Sequence, residues 1–154
     1  MSQQLFNAIR NEDVTTLENL LANDPSLVTT KDSRGSTPLL LATYYGYMPI
    51  TEALLRHPQD VNAKDASGNT ALMGVCFKGF TEIASLLIEK GADVNETNFN
   101  GGTALIFAAT FGKTEIVKLL LEHGADTSHK DDRGNTALDH AKMQEATPVV
   151  QLLS

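Results

Sequence analysis

The sequence predicts an all-α protein, an α-solenoid in which five helix–turn–helix repeats with hairpin-like turns stack in one row. Three observations predict it: a period of 33 residues, a turn-and-cap pattern that opens each period, and an apolar helix that closes it. Because a single row of stacked repeats shares one continuous core, residues 1–154 should form one domain. Five sets of residues share the 33-residue step: Gly35, Gly68, Gly101 and Gly134; Thr37, Thr70, Thr103 and Thr136; Leu39, Leu72, Leu105 and Leu138; Gly46, Gly79 and Gly112; Leu54, Leu87, Leu120 and Leu153.

Each period opens with a tight turn and a short first helix. Asp32 and Gly35 stand at the first and fourth positions preferred by a type I turn. Two residues later Thr37 can cap a helix, since its hydroxyl accepts a hydrogen bond from an otherwise unpaired backbone N–H. Such a cap stabilises the helix by about 1 kcal/mol. Pro38 follows at the first helical position, where the missing N–H costs nothing. The first helix should end at Gly46, and the turns at 65–68, 98–101 and 131–134 repeat this pattern.

A second, more apolar helix completes each period. Ile83, Leu86 and Leu87 are spaced three and four apart, which is typical of a helix with one buried stripe. Gly91 provides a left-handed residue after this helix, whereas Pro58 stands at that place in the second repeat. Three threonines can cap second helices, namely Thr81, Thr114 and Thr147.

The two ends are predicted to be caps with polar outer faces. An N-terminal cap repeat spans residues 2–31, with helices over 5–11 and 14–22, and a C-terminal cap repeat spans residues 131–154. Between them lie internal repeats over 32–64, 65–97 and 98–130. Terminal repeats need polar faces for solubility, so we expect a complete protein with both ends sealed.

Two segments resemble the ankyrin repeat. Residues 32–39 read Asp-Ser-Arg-Gly-Ser-Thr-Pro-Leu and residues 91–95 read Gly-Ala-Asp-Val-Asn, and the resemblance covers nearly the whole chain. It implies binding of another macromolecule along the concave face, which the turn tips and the exposed side of the first helices form. At one position of the repeat where the family often has histidine, this sequence has other residues. We therefore expect the family's usual histidine hydrogen bonds to be absent. The residues at that position are Leu40, Met73, Ile106 and Asp139.

The composition of the chain narrows the classes of partner and the compartments that can be expected. Nineteen acidic and twelve basic residues give a net charge of −7, which opposes binding to nucleic acid or to an anionic membrane. Cys76 is the only cysteine, which favours a reducing compartment. No signal peptide pattern and no run of about 18 apolar residues occurs. A cytoplasmic protein is therefore expected.

We identify no catalytic, cofactor-binding or metal-binding residues in the sequence, and predict that the chain is not an enzyme. His57 and His123 occupy equivalent places near the ends of second helices, two repeats apart, where a cation can favour the helix dipole. His140 stands beside Asp139, but adjacent helical residues do not face one another. Cys76 is expected to be a small packed residue rather than a nucleophile.

The candidate binding site is rich in aromatic residues. Of nine aromatic residues, five fall at turn tips or at the ends of first helices. We expect Tyr45, Phe99 and Phe111 to be exposed, whereas Tyr44 and Phe77 could equally pack in the core. Tyr47 and Phe80 should cover the junction between the two helices of a repeat, and the rings of Tyr45, Phe77 and Phe111 should form a ladder. The candidate partner-binding residues are Arg34, Tyr44, Tyr45, Phe77, Lys78, Phe99, Asn100, Phe111, Arg133 and Met143.

The leading functional hypothesis is a non-catalytic protein–protein interaction module that inhibits or scaffolds one partner protein and is monomeric when unbound. One alternative is a secreted host-directed effector or signalling adaptor, which secretion would reveal. Another is an accessory subunit of an enzyme whose activity lies on another chain, which co-purification with that enzyme would reveal. Fold alone does not distinguish these hypotheses.

Overall fold

The computed structural model describes residues 2–154, which contain α-helices, one 3-10 helix and no strand. The all-α solenoid predicted from the sequence is confirmed. The short 3-10 helix Pro25–Thr29, which links α2 to the first turn, was not predicted. The α-helices are α1 Ser2–Arg10, α2 Val14–Asn23, α3 Pro38–Tyr45, α4 Met48–Leu55, α5 Ala71–Lys78, α6 Thr81–Glu89, α7 Ala104–Thr110, α8 Thr114–Glu122, α9 Ala137–Met143 and α10 Thr147–Leu153.

The helices form two layers. Each odd-numbered helix packs against the even-numbered helix that follows it, and the odd-numbered helices also pack on one another in chain order. The even-numbered helices form the second layer. None of the helices in residues 2–154 has the length and apolar character needed to cross a membrane.

The turns are held by their first residue. The backbone N–H of Gly35 donates to the carbonyl of Asp32 at 3.0 Å, as a type I turn requires. In addition, Oδ1 of Asp32 accepts from the N–H groups of Arg34 and Ser36 at 2.9 and 3.0 Å. Asn98 holds its turn in the same way through its amide oxygen. A carboxylate and an amide are therefore interchangeable at this position as far as the turn itself is concerned.

The predicted caps of the first helices are confirmed, whereas those of the second helices are wrong. The hydroxyl of Thr37 accepts from the N–H of Leu40 at 3.2 Å, and its three equivalents do the same. Thr81, Thr114 and Thr147 instead lie one residue inside their helices. The link from the preceding helix is so short that the residue just after its left-handed position takes the capping backbone conformation. That residue carries no capping side chain: it is Tyr47, Phe80, Lys113 or Ala146.

The core consists of two clusters that meet at α3. Leu39 and Leu40 belong to the cluster on the C-terminal side, and Leu41 and Ala42 to the cluster on the N-terminal side. The ring of Phe80 packs against Gly46 of the preceding repeat, where an added Cβ would lie 2.8 Å from Phe80 Cζ. Tyr47 and Phe80 are both partly buried against the core, which confirms their predicted place at the helix junctions.

Polar side chains join successive repeats. Oδ1 of Asn62 accepts from the backbone N–H of Asp93 at 2.8 Å, and Asn95 bonds in the same way to Asp126. Lys64 Nζ donates to the carbonyl of Thr97 at 2.7 Å. These bonds fix the position of one repeat on the next, which in turn aligns the first helices that carry the candidate site.

Candidate functional site

Large apolar side chains are exposed on one side of the molecule. We call this surface, made by the turn tips and the C-terminal ends of the odd-numbered helices, the first-helix face. Tyr44 and Phe77, for which core packing was the alternative, are 44% and 37% exposed, so neither ring belongs to the core. All the exposed large hydrophobic residues of 2–154 are at predicted site positions: Tyr44, Tyr45, Phe77, Phe99, Phe111 and Met143.

Local structure explains why these side chains point outward. In α3, Ala42 and Thr43 are buried against neighbouring helices, and the next two residues complete the last turn on the opposite side. Gly46 then takes a left-handed conformation, with φ +77°, and reverses the chain into α4. The helix therefore ends with Tyr44 and Tyr45 exposed.

The rings form two groups instead of the single ladder that the sequence suggested. Phe77 and Phe111 meet edge to face with their ring centroids 4.7 Å apart. Tyr45 instead stacks on Tyr47 at 5.5 Å and meets Tyr44 at 6.2 Å. The position in the repeat does not decide this grouping, because Phe77 and Phe111 occupy adjacent positions of the repeat just as Tyr45 and Phe77 do.

A groove of about 450 Å³ lies between α3, α5 and the turns that precede them. We call it the α3–α5 groove. Four of the ten candidate residues line it, namely Arg34, Tyr44, Tyr45 and Phe77. Its other lining residues include Asp32 and Asp65 from the turns, Met73 and Gly74 from α5, and Phe107 from α7.

Gly74 is a feature of the groove that the sequence analysis missed. It lies inside α5, where glycine costs about 1 kcal/mol relative to alanine. The 33-residue step places it at the position of Leu41, Phe107 and His140, so the missing side chain could have been found by comparing repeats. Its effect is to leave the space beside Tyr44 open.

The remaining candidates lie outside the groove. The Nζ of Lys78 lies 4.9 Å from the centroid of the Tyr44 ring, a cation–π contact. Phe99 and Asn100 occupy one turn tip and Arg133 another, and Phe99 is 68% exposed. Met143 is exposed at the end of α9. The structure thus brings four candidates together in the groove and distributes the other six along the same face.

Two histidines form hydrogen bonds with residues distant in the repeat pattern. His140 Nε2 lies 2.7 Å from Oδ2 of Asp131, nine residues earlier, and His129 Nε2 lies 2.8 Å from the carbonyl of Gly101. Both bonds arise at positions other than the one where the family often has histidine, and the sequence did not predict them. Asp139 instead completes a capping box with Thr136.

The Asp131 carboxylate is held in its charged form. Burial raises the pKa of Asp131, but hydrogen bonds from His140, Asn135 and Arg133 together outweigh burial and lower it. This pair ties α9 to the turn before it, a structural role within the last helix pair.

The one thiol of the chain is enclosed. Cys76 is fully buried in α5, and burial raises the pKa of its thiol, which keeps the group protonated. The prediction of a packed residue is confirmed. Among residues 2–154, no three His, Cys, Asp or Glu side chains converge in a way that could hold a metal ion.

Comparison with known proteins identifies one family. The family model for ankyrin repeats (three copies) matches residues 5–98 and again residues 75–154. No curated protein matches the chain. The two matched segments together include every helix that carries the candidate site.

Proposed function

Because this chain belongs to the ankyrin-repeat family, we propose that it binds a partner protein through its first-helix face and catalyses no reaction of its own. Ankyrin repeats are generally protein–protein interaction modules and are typically non-catalytic. The observation that carries the proposal is the concentration of exposed large hydrophobic side chains on this one face. Exposed apolar surface gathered in one place is typical of an interaction site.

The side chains on this face match the apolar centre and the polar rim of a typical protein–protein interface. The rings of Tyr45, Phe77 and Phe111 would be removed from water on binding, and the few residues that supply most of the binding energy of an interface are often aromatic. Around them lie the exposed polar residues Arg34 and Arg133, which suit a hydrated rim. We therefore expect the rings to supply most of the binding energy and the arginines to act mainly on the association rate.

The proposed partner is one protein, which the chain inhibits or scaffolds in the cytoplasm. The net charge of −7 supports a protein partner over a nucleic acid, whose phosphates would be repelled.

Substituting exposed rings tests the proposal. Tyr45→Ala and Phe111→Ala should weaken binding by more than tenfold, because truncating an aromatic hot spot costs about 2 kcal/mol or more. Both variants should melt close to the wild-type temperature, since the rings are 42% and 47% exposed. The partner is first captured from native lysate with the wild-type chain and identified by mass spectrometry. Each variant is then titrated against that purified partner, with a thermal melt in parallel.

Phe80→Ala provides the matched control. Its ring is packed against the core and against Gly46, so its loss should lower the melting temperature by several degrees. Normal binding combined with early melting in the Tyr45 and Phe111 variants would contradict the proposal. The binding face would then have to lie on the even-numbered helices.

A further inference from the structure

The last turn of the molecule shows what a turn carboxylate can bind. Oδ1 of Asp131 accepts from two backbone N–H groups and holds the turn. Oδ2 remains free of the backbone and accepts from His140, nine residues later, at 2.7 Å. The imidazole therefore occupies a place directly beside the second carboxylate oxygen.

The equivalent place beside Asp65 is empty of protein. Oδ1 of Asp65 accepts from the N–H groups of Ser67 and Asn69 at 2.9 Å each, whereas Oδ2 has no hydrogen-bond or ion-pair partner within residues 2–154. The residue nine positions later is Gly74, which has no side chain. An added Cβ at Gly74 would meet only Tyr44 Cδ1, at 3.7 Å. Asp65 thus presents a carboxylate oxygen to an open space.

The other turns lack this combination. Asp32 is followed nine positions later by the buried Leu41, an apolar side chain that cannot bond to a carboxylate. The third turn has the uncharged Asn98, whose amide donates to Asn69. Only the turn at Asp65 combines a carboxylate with an unfilled position.

The walls around that space are aromatic. Tyr44, Phe77 and Phe107 line the α3–α5 groove together with Asp65, and Asp32 adds a second carboxylate. Lys78 already lies over the Tyr44 ring, which shows that this ring accepts a cation. Arg34 also lines the groove, but it forms no ion pair with either carboxylate within residues 2–154. The groove therefore offers negative charge and aromatic faces to an incoming group.

We propose that the α3–α5 groove receives an arginine side chain of the partner protein, whose guanidinium pairs with Asp65 as His140 pairs with Asp131. This inference rests on the proposed function, because it names what one part of the first-helix face recognises. Arginine suits the groove better than lysine, since its planar guanidinium bonds to a carboxylate and stacks on aromatic rings at the same time. An apolar side chain would bury the carboxylate without a partner, which is unfavourable.

The test uses the full chain and a defined probe. The peptide acetyl-Gly-Arg-Gly-amide is titrated into the ¹⁵N-labelled protein, and backbone amide shifts are followed by NMR. Peptides with citrulline, which is neutral and nearly the same shape, or with lysine in place of arginine are titrated in parallel. We expect saturable shifts at residues 65–74 with the arginine peptide, at least tenfold weaker binding with citrulline, and intermediate binding with lysine.

Three variants locate the site. Asp65→Asn should weaken binding of the arginine peptide at least tenfold without disturbing the fold, because Asn98 already holds an equivalent turn. Gly74→His should have the same effect by placing an imidazole where His140 lies in the last helix pair. Asp132→Asn is the matched control, since it removes one exposed turn carboxylate outside the groove and should leave binding unchanged.

The outcomes separate this inference from the proposed function. Equal binding of the arginine and citrulline peptides, no shifts at all, or full binding to Asp65→Asn would each overturn the arginine site. If Tyr45→Ala and Phe111→Ala still abolish capture of the protein partner in that case, the interaction face stands and only the arginine assignment fails. If arginine-specific shifts appear and vanish in Asp65→Asn and Gly74→His, the assignment is supported.

Discussion

Two buried threonines on neighbouring helices differ in how their hydroxyls are satisfied. Thr43 on α3 is 1% exposed, and its hydroxyl donates to the carbonyl of Leu39 at 2.8 Å. Thr51 on α4 is fully buried, and its Oγ1 has no partner within residues 2–154. A buried polar group without a hydrogen bond costs about 1–3 kcal/mol. The equivalent positions in the following repeats are apolar, as Ala84, Val117 and Val150.

Thr51→Val should therefore raise the free energy of unfolding by about 1 kcal/mol, because valine keeps the shape and removes the unsatisfied hydroxyl. The measurement is urea unfolding followed by circular dichroism. Thr43→Val is the control, and should be neutral or lower stability by up to about 1 kcal/mol, since it removes a hydrogen bond that is made. A loss of stability in Thr51→Val would contradict the prediction and would show that the Thr51 hydroxyl has a partner in solution.

At the scale of the element, the residue that ends each first helix decides how the chain turns into the second. Gly46, Gly79 and Gly112 take φ values of +77°, +87° and +66° there. In the first and last helix pairs the same place is filled by Glu12 and Glu145, with φ of +53° and +55°. A residue with a Cβ is disfavoured in this region by roughly 1–2 kcal/mol. These two helix pairs therefore keep the backbone geometry of the pairs between them at a cost in stability.

Glu145→Gly should raise the free energy of unfolding by about 0.5–1 kcal/mol, since relief of the left-handed strain exceeds the added flexibility of the unfolded chain. Gly46→Ala should act in the opposite direction and cost more than about 1 kcal/mol. There the new methyl would have a positive φ and would also lie 2.8 Å from the Phe80 ring. Chemical denaturation of both variants measures the difference. A destabilised Glu145→Gly variant would mean that the glutamate side chain stabilises the cap in another way.

In the whole molecule, the first and last helix pairs expose many polar side chains. On α1 and just after it, the exposed polar residues are Gln3, Gln4, Asn7, Arg10 and Asn11. The last helix pair exposes a similar set, Lys142, Gln144, Glu145 and Gln151. These polar side chains disfavour continuation of the stack by another copy.

We therefore predict that the isolated chain is a monomer at micromolar concentration, as measured by light scattering. The net charge of −7 also opposes self-association. A compact dimer would contradict the prediction and would identify the first-helix face as a self-interface. In that case the double variant Tyr45→Ala/Phe111→Ala should restore the monomer.

Much of this architecture was predictable because it is local and repeated. Turn residues such as Asp32, caps such as Thr37 and left-handed glycines such as Gly46 act through bonds to residues a few positions away. Since the same turn, capping threonine and glycine recur every 33 residues, the sequence contains several copies of one pattern. The exposure of Tyr45 and Phe111 was predictable for the same reason, because their place in the repeat determines which way they point.

The sequence failed to predict two kinds of feature: the residue at which each second helix is capped, and a side-chain contact between residues nine positions apart. The caps predicted at Thr81, Thr114 and Thr147 were wrong by one residue, which the tight link between helices decides. The partner of His140 was missed because nine residues of turn and helix bring it beside Asp131.

The repeat, the caps of the first helices and the exposure of Tyr45, Phe99 and Phe111 can therefore be read from the sequence, because they depend on short-range bonding and periodicity. The grouping of the aromatic rings, the unsatisfied hydroxyl of Thr51 and the open space at Gly74 beside Asp65 emerge only in the folded chain. These features depend on contacts between different repeats or on a single departure from the period. The lack of a side chain at Gly74 leaves a groove only because residues of α3 and α5 surround that space.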